Sequence, residues 1–300
     1  MIICMHMIYV ICGPTGSGKT NVAIKFSEYF HAPIINADAF QIYQDMNIGT
    51  AKISKDDPYY KKHYLLDIKK PSENFSVMEY QKLFRQCVEE LSKKHENIIV
   101  CGGTGLYIRA SLYDYVFKEE EPVDISDLEK MSNEELYDLL KQLDESATQT
   151  IHQNNRKRII RAIAIARSQE FTKSENISSQ EHKMVYSNVQ ILFINPDRNK
   201  LYENINNRVD EMFDKGLIDE VKGLLNKYEL SVTAKAAIGY KEVIDYLNGQ
   251  YSLEDCKELI KKRTRNYAKR QVTFFKNQFE CQTYASAEEL LKLTLSEVEK

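Results

Sequence analysis

The sequence predicts an α/β fold in which helices flank a parallel sheet and an all-α domain is inserted into the chain. Two observations carry this prediction. Short apolar runs alternate with helical stretches and glycine turns, and a long middle segment has no strand signal. The chain has 300 residues, a formal net charge of −3, and 43% hydrophobic and 28% charged residues. These values are typical of a globular protein and exclude a coil, a collagen-like fibre and a disordered tail.

The first third of the chain contains most of the strand signals. Apolar residues 8–12 predict a strand, and after a glycine-rich loop the apolar stripe over 21–30 predicts a helix. A second short apolar run over 33–38 predicts another strand. A helix over about 76–95 then precedes a strand over 98–101. This alternation predicts parallel strands joined by crossover helices.

The middle of the chain is interpreted as a helical insertion. Residues 118–150 are acidic and helix-prone, 151–168 are basic and helical, and 169–188 are polar and predict a loop. A strand over 189–194 then returns to the sheet. The predicted domains are a core of residues 1–112 and 189–300 and an insertion of residues 113–188.

The final third is helical by its apolar spacing, and it contains a second basic segment. An apolar face over 201–212 is interrupted at Gly216, and residues 257–276 hold eight Lys or Arg against one acid, Glu258. Two basic segments in a chain with an acidic total favour an anionic partner, whereas a solvated helix face is the alternative.

Cysteine usage and the N-terminus predict the compartment. The six cysteines are scattered without zinc spacing, which favours small buried thiols in a reducing cytosol. The apolar run over residues 1–12 lacks a positively charged start and is too short to cross a bilayer. We therefore expect a cytoplasmic protein without a membrane partner, and we expect a monomer.

The glycine-rich loop carries the strongest chemical signal. Its pattern is G-x-x-x-x-G-K-T over residues 13–20, between a predicted strand and a predicted helix. Such a P-loop turns several backbone N–H groups and a helix N-terminus toward phosphate oxygens. It predicts a P-loop NTPase-like core that binds a diphosphate or triphosphate group. The predicted phosphate-binding residues are Gly13, Pro14, Thr15, Gly16, Ser17, Gly18, Lys19 and Thr20, with Mg²⁺ held at Thr20.

The rest of the sequence narrows the kind of phosphate enzyme. No NKxD motif for guanine is present, and the strand over 98–101 ends in glycines rather than in an Mg²⁺-binding Asp. These features are atypical of a motor or switch NTPase. A nucleotide kinase, or another enzyme that uses a phosphate-rich small molecule, remains open.

Asp38 is the best candidate for a general base. It ends the strand over 33–38, and the carboxyl ends of parallel strands face the ligand crevice of α/β folds. If this strand lies beside the first, Asp38 is close to the P-loop. The alternative is a carboxylate that caps the turn after the strand.

Seven segments together resemble the bacterial tRNA dimethylallyltransferases over nearly the whole chain. They are GPTGSGKT (13–20), NADAFQIYQDMNIGTAK (36–52), HYLLDIKKP (63–71), GGTGLYIRA (102–110), IHQNNRKRIIRAI (151–163), AIGYKEVIDYLNG (237–249) and TRNYAKRQVTFF (264–275). The resemblance implies transfer of a five-carbon group from dimethylallyl diphosphate to N6 of adenosine 37 in tRNAs that read codons starting with U. In that reaction the P-loop with Mg²⁺ holds the leaving diphosphate, and Asp38, Lys19 and Thr20 are the catalytic residues.

The resemblance also implies the contacts to tRNA, whose anticodon stem-loop the insertion over 113–188 would grip. The implied tRNA-binding residues are Asp38, Ala39, Phe40, Gln41, Thr104, Lys157, Arg158, Ile159, Ile160, Arg161, Gly239, Tyr240, Lys241, Lys269, Arg270 and Gln271. Three positions depart from the family pattern, one of them mildly, since Phe274 stands where relatives often have Trp. Ala39 stands where relatives usually have Ser, and Ala236 stands where many have Gln or Arg.

Three alternatives to tRNA prenylation remain at this point. An adenylate isopentenyltransferase would use the same donor with free AMP and would need no anticodon-gripping insertion. A P-loop kinase would transfer a phosphoryl group from ATP. A non-catalytic tRNA-binding module would have a decayed P-loop, which the intact Lys19 and Thr20 argue against.

Overall fold

The protein consists of two compact units in a computed structural model that describes residues 7–117, 123–168 and 183–298. The core unit comprises Met1–Leu112 and Tyr186–Lys300, and the insertion unit comprises Tyr113–Val185. The first boundary lies between Leu112 and Tyr113, where the insertion was predicted to begin. The second falls at residue 186, three positions before the predicted 189, because Tyr186 packs edge-on against Phe84 of the core unit, with 6.5 Å between ring centroids.

Six strands form one sheet in the core unit. They are β1 Met7–Cys12, β2 Ile34–Asn36, β3 His63–Tyr64, β4 Asn97–Gly102, β5 Val189–Ile194 and β6 Gln282–Tyr284. Their order is β3-β2-β4-β1-β5-β6, and each neighbouring pair is parallel. The predicted parallel α/β sheet is therefore confirmed. The two edge strands β3 and β6 were not predicted, because their residues, His63–Tyr64 and Gln282–Tyr284, do not form an apolar run like that of β2.

Helices cover the sheet and build the second half of the core unit. Those of the core unit are α1 Lys19–Phe30, α2 Val77–Ser92, α3 Gly105–Leu112, α8 Arg198–Asp214, α9 Leu217–Lys227, α10 Val232–Lys235, α11 Tyr240–Leu247, α12 Leu253–Gln278 and α13 Ala287–Val298. The central strand β1 is buried on both faces, with Val10 and Ile11 fully inaccessible. Phe26 of α1 packs on it, and the rings of Tyr9 and Phe30 stack with centroids 4.9 Å apart.

The insertion unit is helical in its described part, as its sequence predicts. Its helices are α4 Ser126–Lys130, α5 Asn133–Leu143, α6 Glu145–Thr148 and α7 Arg156–Ser168. A capping box of Ser132 and Glu135 begins α5, and a core around Leu140 and Ile163 joins α5 to α7. The predicted loop over 169–188 lies for the most part outside the described residues.

The cysteines in the described part of the chain are free thiols. Cys12, Cys87, Cys101 and Cys256 are free and buried, as expected for small apolar side chains, and Cys281 is half-buried. Cys4 lies outside the described residues. No helix in the described ranges is long and apolar enough to span a bilayer.

Candidate active site

The P-loop lies between β1 and α1, as its pattern predicts. Gly16 and Gly18 have φ values of 82° and 85°, a left-handed conformation that residues with a Cβ rarely adopt. This conformation lets the loop bend around a point in front of α1, whose N-terminus carries a partial positive charge. The loop therefore has the backbone geometry that binds a phosphate group.

Lys19 supplies a side-chain cation to this loop. Its Nζ donates a hydrogen bond of 3.0 Å to the carbonyl oxygen of Pro14. Burial lowers the pKa of Lys19, while the nearby carboxylate of Asp38 acts in the opposite direction. A bound diphosphate would add negative charge beside the ammonium group and so favour its protonated form.

A polar cavity of about 370 Å³, here the phosphate cavity, opens in front of the P-loop. Thr20 and Lys19 form one side, and Asn204, Arg208 and Glu211 of α8 form the other. Asn204 also donates its side-chain amide to the carbonyl oxygen of Gly16 over 3.1 Å, which ties α8 to the loop. The phosphate cavity thus has a cationic side chain on each side.

Asp38 follows β2 and caps the next turn with its Oδ1 atom. That oxygen accepts hydrogen bonds from the backbone N–H groups of Phe40, at 2.9 Å, and Gln41, at 3.3 Å. The proximity of Asp38 to the P-loop was expected if β2 lay beside β1, but β4 lies between them. Asp38 and Thr15 of the P-loop nevertheless line the same cavity. Asp38 therefore caps the turn and also lines the candidate site.

This second cavity, here the substrate cavity, has polar lining residues and a set of apolar lining residues, here called the apolar wall. Its volume is about 230 Å³. Thr15, Asp38 and Arg208 are among its polar lining residues. The apolar wall comes from α8, α12 and the turn before α11, through Ile205, Val209, Met212, Ile238 and Ile260. Tyr267 of α12 also lines it, and burial, with a further contribution from Asp38, raises the pKa of Tyr267 to about 12. Its hydroxyl is therefore a proton donor at neutral pH.

Arg208 is a residue of the candidate site that the sequence analysis did not identify. It lines both cavities, and its Nη2 donates a hydrogen bond of 3.3 Å to the carbonyl oxygen of Thr50. Burial lowers the pKa of Arg208, and the Asp38 carboxylate partly offsets this effect. In the sequence, Arg208 appears only as a charged residue next to Val209, within the apolar stripe of α8. This pattern does not by itself indicate a binding site.

Several residues with a predicted tRNA contact hold the site together. The N–H of Ala39 donates to Oγ1 of Thr104 over 3.0 Å, and Nε2 of Gln41 donates to the carbonyl oxygen of Thr50 over 3.1 Å. The Gln271 side chain is buried. Its Oε1 accepts from the N–H of Thr15 at 2.9 Å, and its Nε2 donates to the carbonyl oxygen of Gly103 at 2.8 Å. Gln271 thus joins the P-loop to the GGTG turn.

The residues that are predicted to contact tRNA differ in their exposure to solvent. The side chains of Ile159 and Tyr240 are buried in their units, as is Gln271, and Gly239 is buried as well. Phe40, Thr104 and Ile160 are half-buried. All the cationic residues that are predicted to contact tRNA are exposed, namely Lys157, Arg158, Arg161, Lys241, Lys269 and Arg270. These six are accessible to an RNA, whereas the buried side chains face the protein interior.

Much of the basic charge on α12 has a partner within the core unit. Lys261 pairs with Asp210 at 2.8 Å, and Arg263 pairs with the buried Glu242. Arg265 donates to the side chain of Asn206. This part of the basic segment therefore packs α12 against α8 and α11, and its charge is not all available to an anionic partner.

The donor set around Thr20 fits a Mg²⁺ ion that arrives with a phosphate ligand. Among the residues that the structure describes, no group of three or more His, Cys, Asp or Glu side chains could hold a metal by itself. Mg²⁺ in phosphate enzymes commonly has one or two protein ligands, with phosphate oxygens and water as the others. The Thr20 hydroxyl, which lines the phosphate cavity, suits such a site.

Comparison with known proteins gives consistent results along the chain. A family model described as IPP transferase matches residues 41–278. The chain is 42% identical to the tRNA dimethylallyltransferase of Bacillus licheniformis, over 91% of this chain and 88% of that protein. It is also 42% identical to the tRNA dimethylallyltransferase of Anoxybacillus flavithermus, over 92% of this chain and 89% of that protein.

Solved structures show the same similarity. A tRNA delta(2)-isopentenylpyrophosphate transferase from Staphylococcus epidermidis is 33% identical with a TM-score of 0.70, covering 98% of this chain and 99% of that one. A eukaryotic dimethylallyltransferase acting on tRNA has a TM-score of 0.80 at 24% identity, covering 98% of this chain and 77% of that one. The second comparison supports the fold.

Replacing Lys19 with alanine should weaken the binding of inorganic pyrophosphate with Mg²⁺ roughly tenfold to a hundredfold, since hydrogen bonds to charged groups contribute about 1.5–3 kcal/mol. Isothermal titration calorimetry measures this directly. Lys25→Ala is the matched control, because Lys25 lies on the same helix with a side chain that is 52% exposed. Equal affinity of the Lys19 variant and wild type would remove Lys19 from the phosphate site.

Proposed function

The chain belongs to the IPP transferase family, and from this premise we propose that it is a tRNA dimethylallyltransferase. It transfers the dimethylallyl group of dimethylallyl diphosphate to N6 of adenosine 37 in tRNAs that read codons starting with U. The observation that carries the proposal is the joint lining of one cavity by Thr15, Asp38 and Arg208 beside an apolar wall. This arrangement suits a donor with an anionic end and a five-carbon apolar end.

The diphosphate of the donor occupies the P-loop. Its oxygens accept hydrogen bonds from the loop N–H groups, Lys19 and Arg208. As the C1–O bond breaks, the electron pair leaves with the diphosphate, and these donors stabilise the negative charge that develops there. Thr20 would hold a Mg²⁺ ion that arrives with the diphosphate, and this ion would supply further charge neutralisation. No nucleotide hydrolysis is required.

The adenine enters the substrate cavity beside Asp38. The lone pair of N6 forms the new C–N bond at C1 of the donor, and the N6 proton passes to the Asp38 carboxylate. The turn cap at Oδ1 fixes the orientation of this carboxylate. The apolar wall of Ile205, Val209 and Met212 excludes water from the electron-deficient allylic carbon during the transfer.

The tRNA must present an unstacked base to reach this cavity, as enzymes that act on a single base require. Exposed Lys241, Lys269 and Arg270 on the core unit, and exposed Lys157 and Arg158 on the insertion unit, provide charge for the phosphate backbone. We therefore assign the insertion unit to the anticodon stem-loop. Ala39 and Ala236 lack the polar side chains common in relatives at these positions, so their contribution is limited to backbone and shape.

A transfer assay with labelled dimethylallyl diphosphate, Mg²⁺ and either unmodified tRNA or free AMP tests the proposal. Label in the tRNA is expected, and it should disappear when adenosine 37 is replaced by guanosine. Label in AMP alone would assign the protein to the adenylate isopentenyltransferases. Label in neither acceptor would contradict prenyl transfer, and phosphoryl transfer from ATP would then be measured as the kinase alternative.

Asp38→Asn should lower the rate of transfer by roughly 10²–10⁴-fold, the usual contribution of a general base. The asparagine retains an oxygen that accepts from Phe40 and Gln41, so the turn cap survives while the proton acceptor is lost. The affinity for tRNA, measured by filter binding, should stay within about threefold of wild type.

Asp56→Asn, which changes an exposed acid in the same part of the chain, is the control and should leave the rate unchanged. Full activity of Asp38→Asn would show that the residue serves as the turn cap and not as the base.

Changing both Arg158 and Arg161 to glutamate should weaken tRNA binding and reduce the slope of log affinity against log salt by roughly two, because each arginine that contacts a phosphate displaces counterions. Binding is measured from 50 to 200 mM salt, a range that spans about 10³–10⁵ in affinity for proteins with many phosphate contacts. An unchanged slope would make this face of α7 a solvated helix surface.

A further inference from the structure

Glu220 of α9 occupies an unusual position for an acid on a helix surface. Its Oε2 accepts hydrogen bonds from the backbone N–H groups of Asn47, at 3.0 Å, and Ile48, at 2.8 Å. Its Oε1 accepts from the N–H of Gly49 at 3.2 Å. One carboxylate thus satisfies three consecutive backbone donors of a loop more than 170 positions away in the chain. This geometry is that of an anion in a backbone nest.

A fourth hydrogen bond connects Glu220 to α11. The hydroxyl of the buried Tyr240 donates to its Oε1 over 2.6 Å. The Tyr240 ring lies directly over Gly49, where an added Cβ would come within 2.5 Å of a ring carbon. Any larger residue at position 49 would therefore displace the ring. The carboxylate and the ring together fasten the loop over 47–50 to the start of α11.

This loop in turn holds Arg208. The Thr50 carbonyl oxygen, one residue after the last amide bound by Glu220, accepts from Nη2 of Arg208. Gly49 and Thr50 themselves line the substrate cavity together with Asp38 and Arg208. Glu220 is therefore connected to the arginine shared by both cavities through a hydrogen bond to Gly49, the backbone from Gly49 to Thr50, and the hydrogen bond from Arg208 to Thr50.

We propose that Glu220 is a positioning residue for the diphosphate site: through the loop over 47–50 it sets the place of the Arg208 guanidinium. The inference rests on the proposed function, because it assigns Arg208 to the donor diphosphate. A carboxylate in the first turn of a helix also interacts favourably with the helix dipole. Asp219 has that same role without any contact to the loop, since its side chain is 84% exposed and pairs with Lys222 at 3.6 Å.

The test compares pyrophosphate binding with Mg²⁺ in variants of the full-length protein by isothermal titration calorimetry. Glu220→Gln keeps the shape of the side chain but removes its charge and places an amide donor against the loop N–H groups. We expect its dissociation constant to rise at least fivefold. The matched control Asp219→Asn should stay within twofold of wild type, and circular dichroism should show that both variants are folded.

The dependence on Arg208 distinguishes positioning from general stability. In an Arg208→Lys background, where the guanidinium is absent, Glu220→Gln should change the affinity by less than twofold. An equal loss in both backgrounds would overturn the inference, as would a folded Glu220→Gln variant with wild-type affinity.

A second variant covers the case in which Glu220→Gln does not fold. Tyr240→Phe removes one donor to Glu220 but keeps the ring over Gly49, and it should raise the dissociation constant about two- to threefold, again only when Arg208 is present. An unchanged affinity would overturn the inference. If wild-type protein bound no pyrophosphate, the proposed function would fail together with the inference; if wild type and the Glu220 variants bound it equally, the inference alone would fail.

Discussion

Parallel strands present their carboxyl ends at one edge of the sheet, and the P-loop, Asp38 and the GGTG turn depend on this constraint. The P-loop follows β1, Asp38 follows β2, and the GGTG turn follows β4, so three distant segments meet at the same edge. Backbone N–H groups left unpaired at these strand ends would be costly without partners. Some of them become binding groups, and others are used to join the segments, as in the bonds from Ala39 to Thr104 and from Thr15 to Gln271.

The sequence was informative wherever the determinant is local. An apolar run followed by a glycine loop with Lys19 specifies β1, the P-loop and α1 without reference to the rest of the chain. The same holds for β4 and its turn, and for the insertion helices, whose caps and apolar spacing are encoded within each segment. Asp38 could be placed at a strand end, although the position of β2 in the sheet could not be read from its residues.

The remaining parts of the site depend on contacts between distant helices. Arg208, Gln271 and Glu220 lie on α8, α12 and α9, and each has its role only because of what it faces across the core unit. In the sequence Arg208 and Glu220 are each one polar residue among many on an amphipathic helix, whereas Gln271 was implied by the family resemblance of residues 264–275. Likewise the charge on α12 suggested an anionic ligand, whereas Lys261 and Arg263 pair with Asp210 and Glu242. Charge counts along a chain do not show which charges are neutralised by folding.

The position of β1 in the sheet has a consequence for biosynthesis. Its partner β4 begins at residue 97, but its other partner, β5, begins only at residue 189, which is 189 − 12 = 177 positions after the end of β1. At about 5–20 residues per second, β1 leaves the ribosome roughly 9–35 s before β5 is made. During this interval one apolar edge of the nascent sheet is unpaired, a state in which strands are prone to wrong pairing. The residues made in between include the insertion unit, Tyr113–Val185, which has an apolar core around Leu140 and Ile163. The order of synthesis therefore leaves this edge of β1 without its native partner until the whole insertion unit has been made.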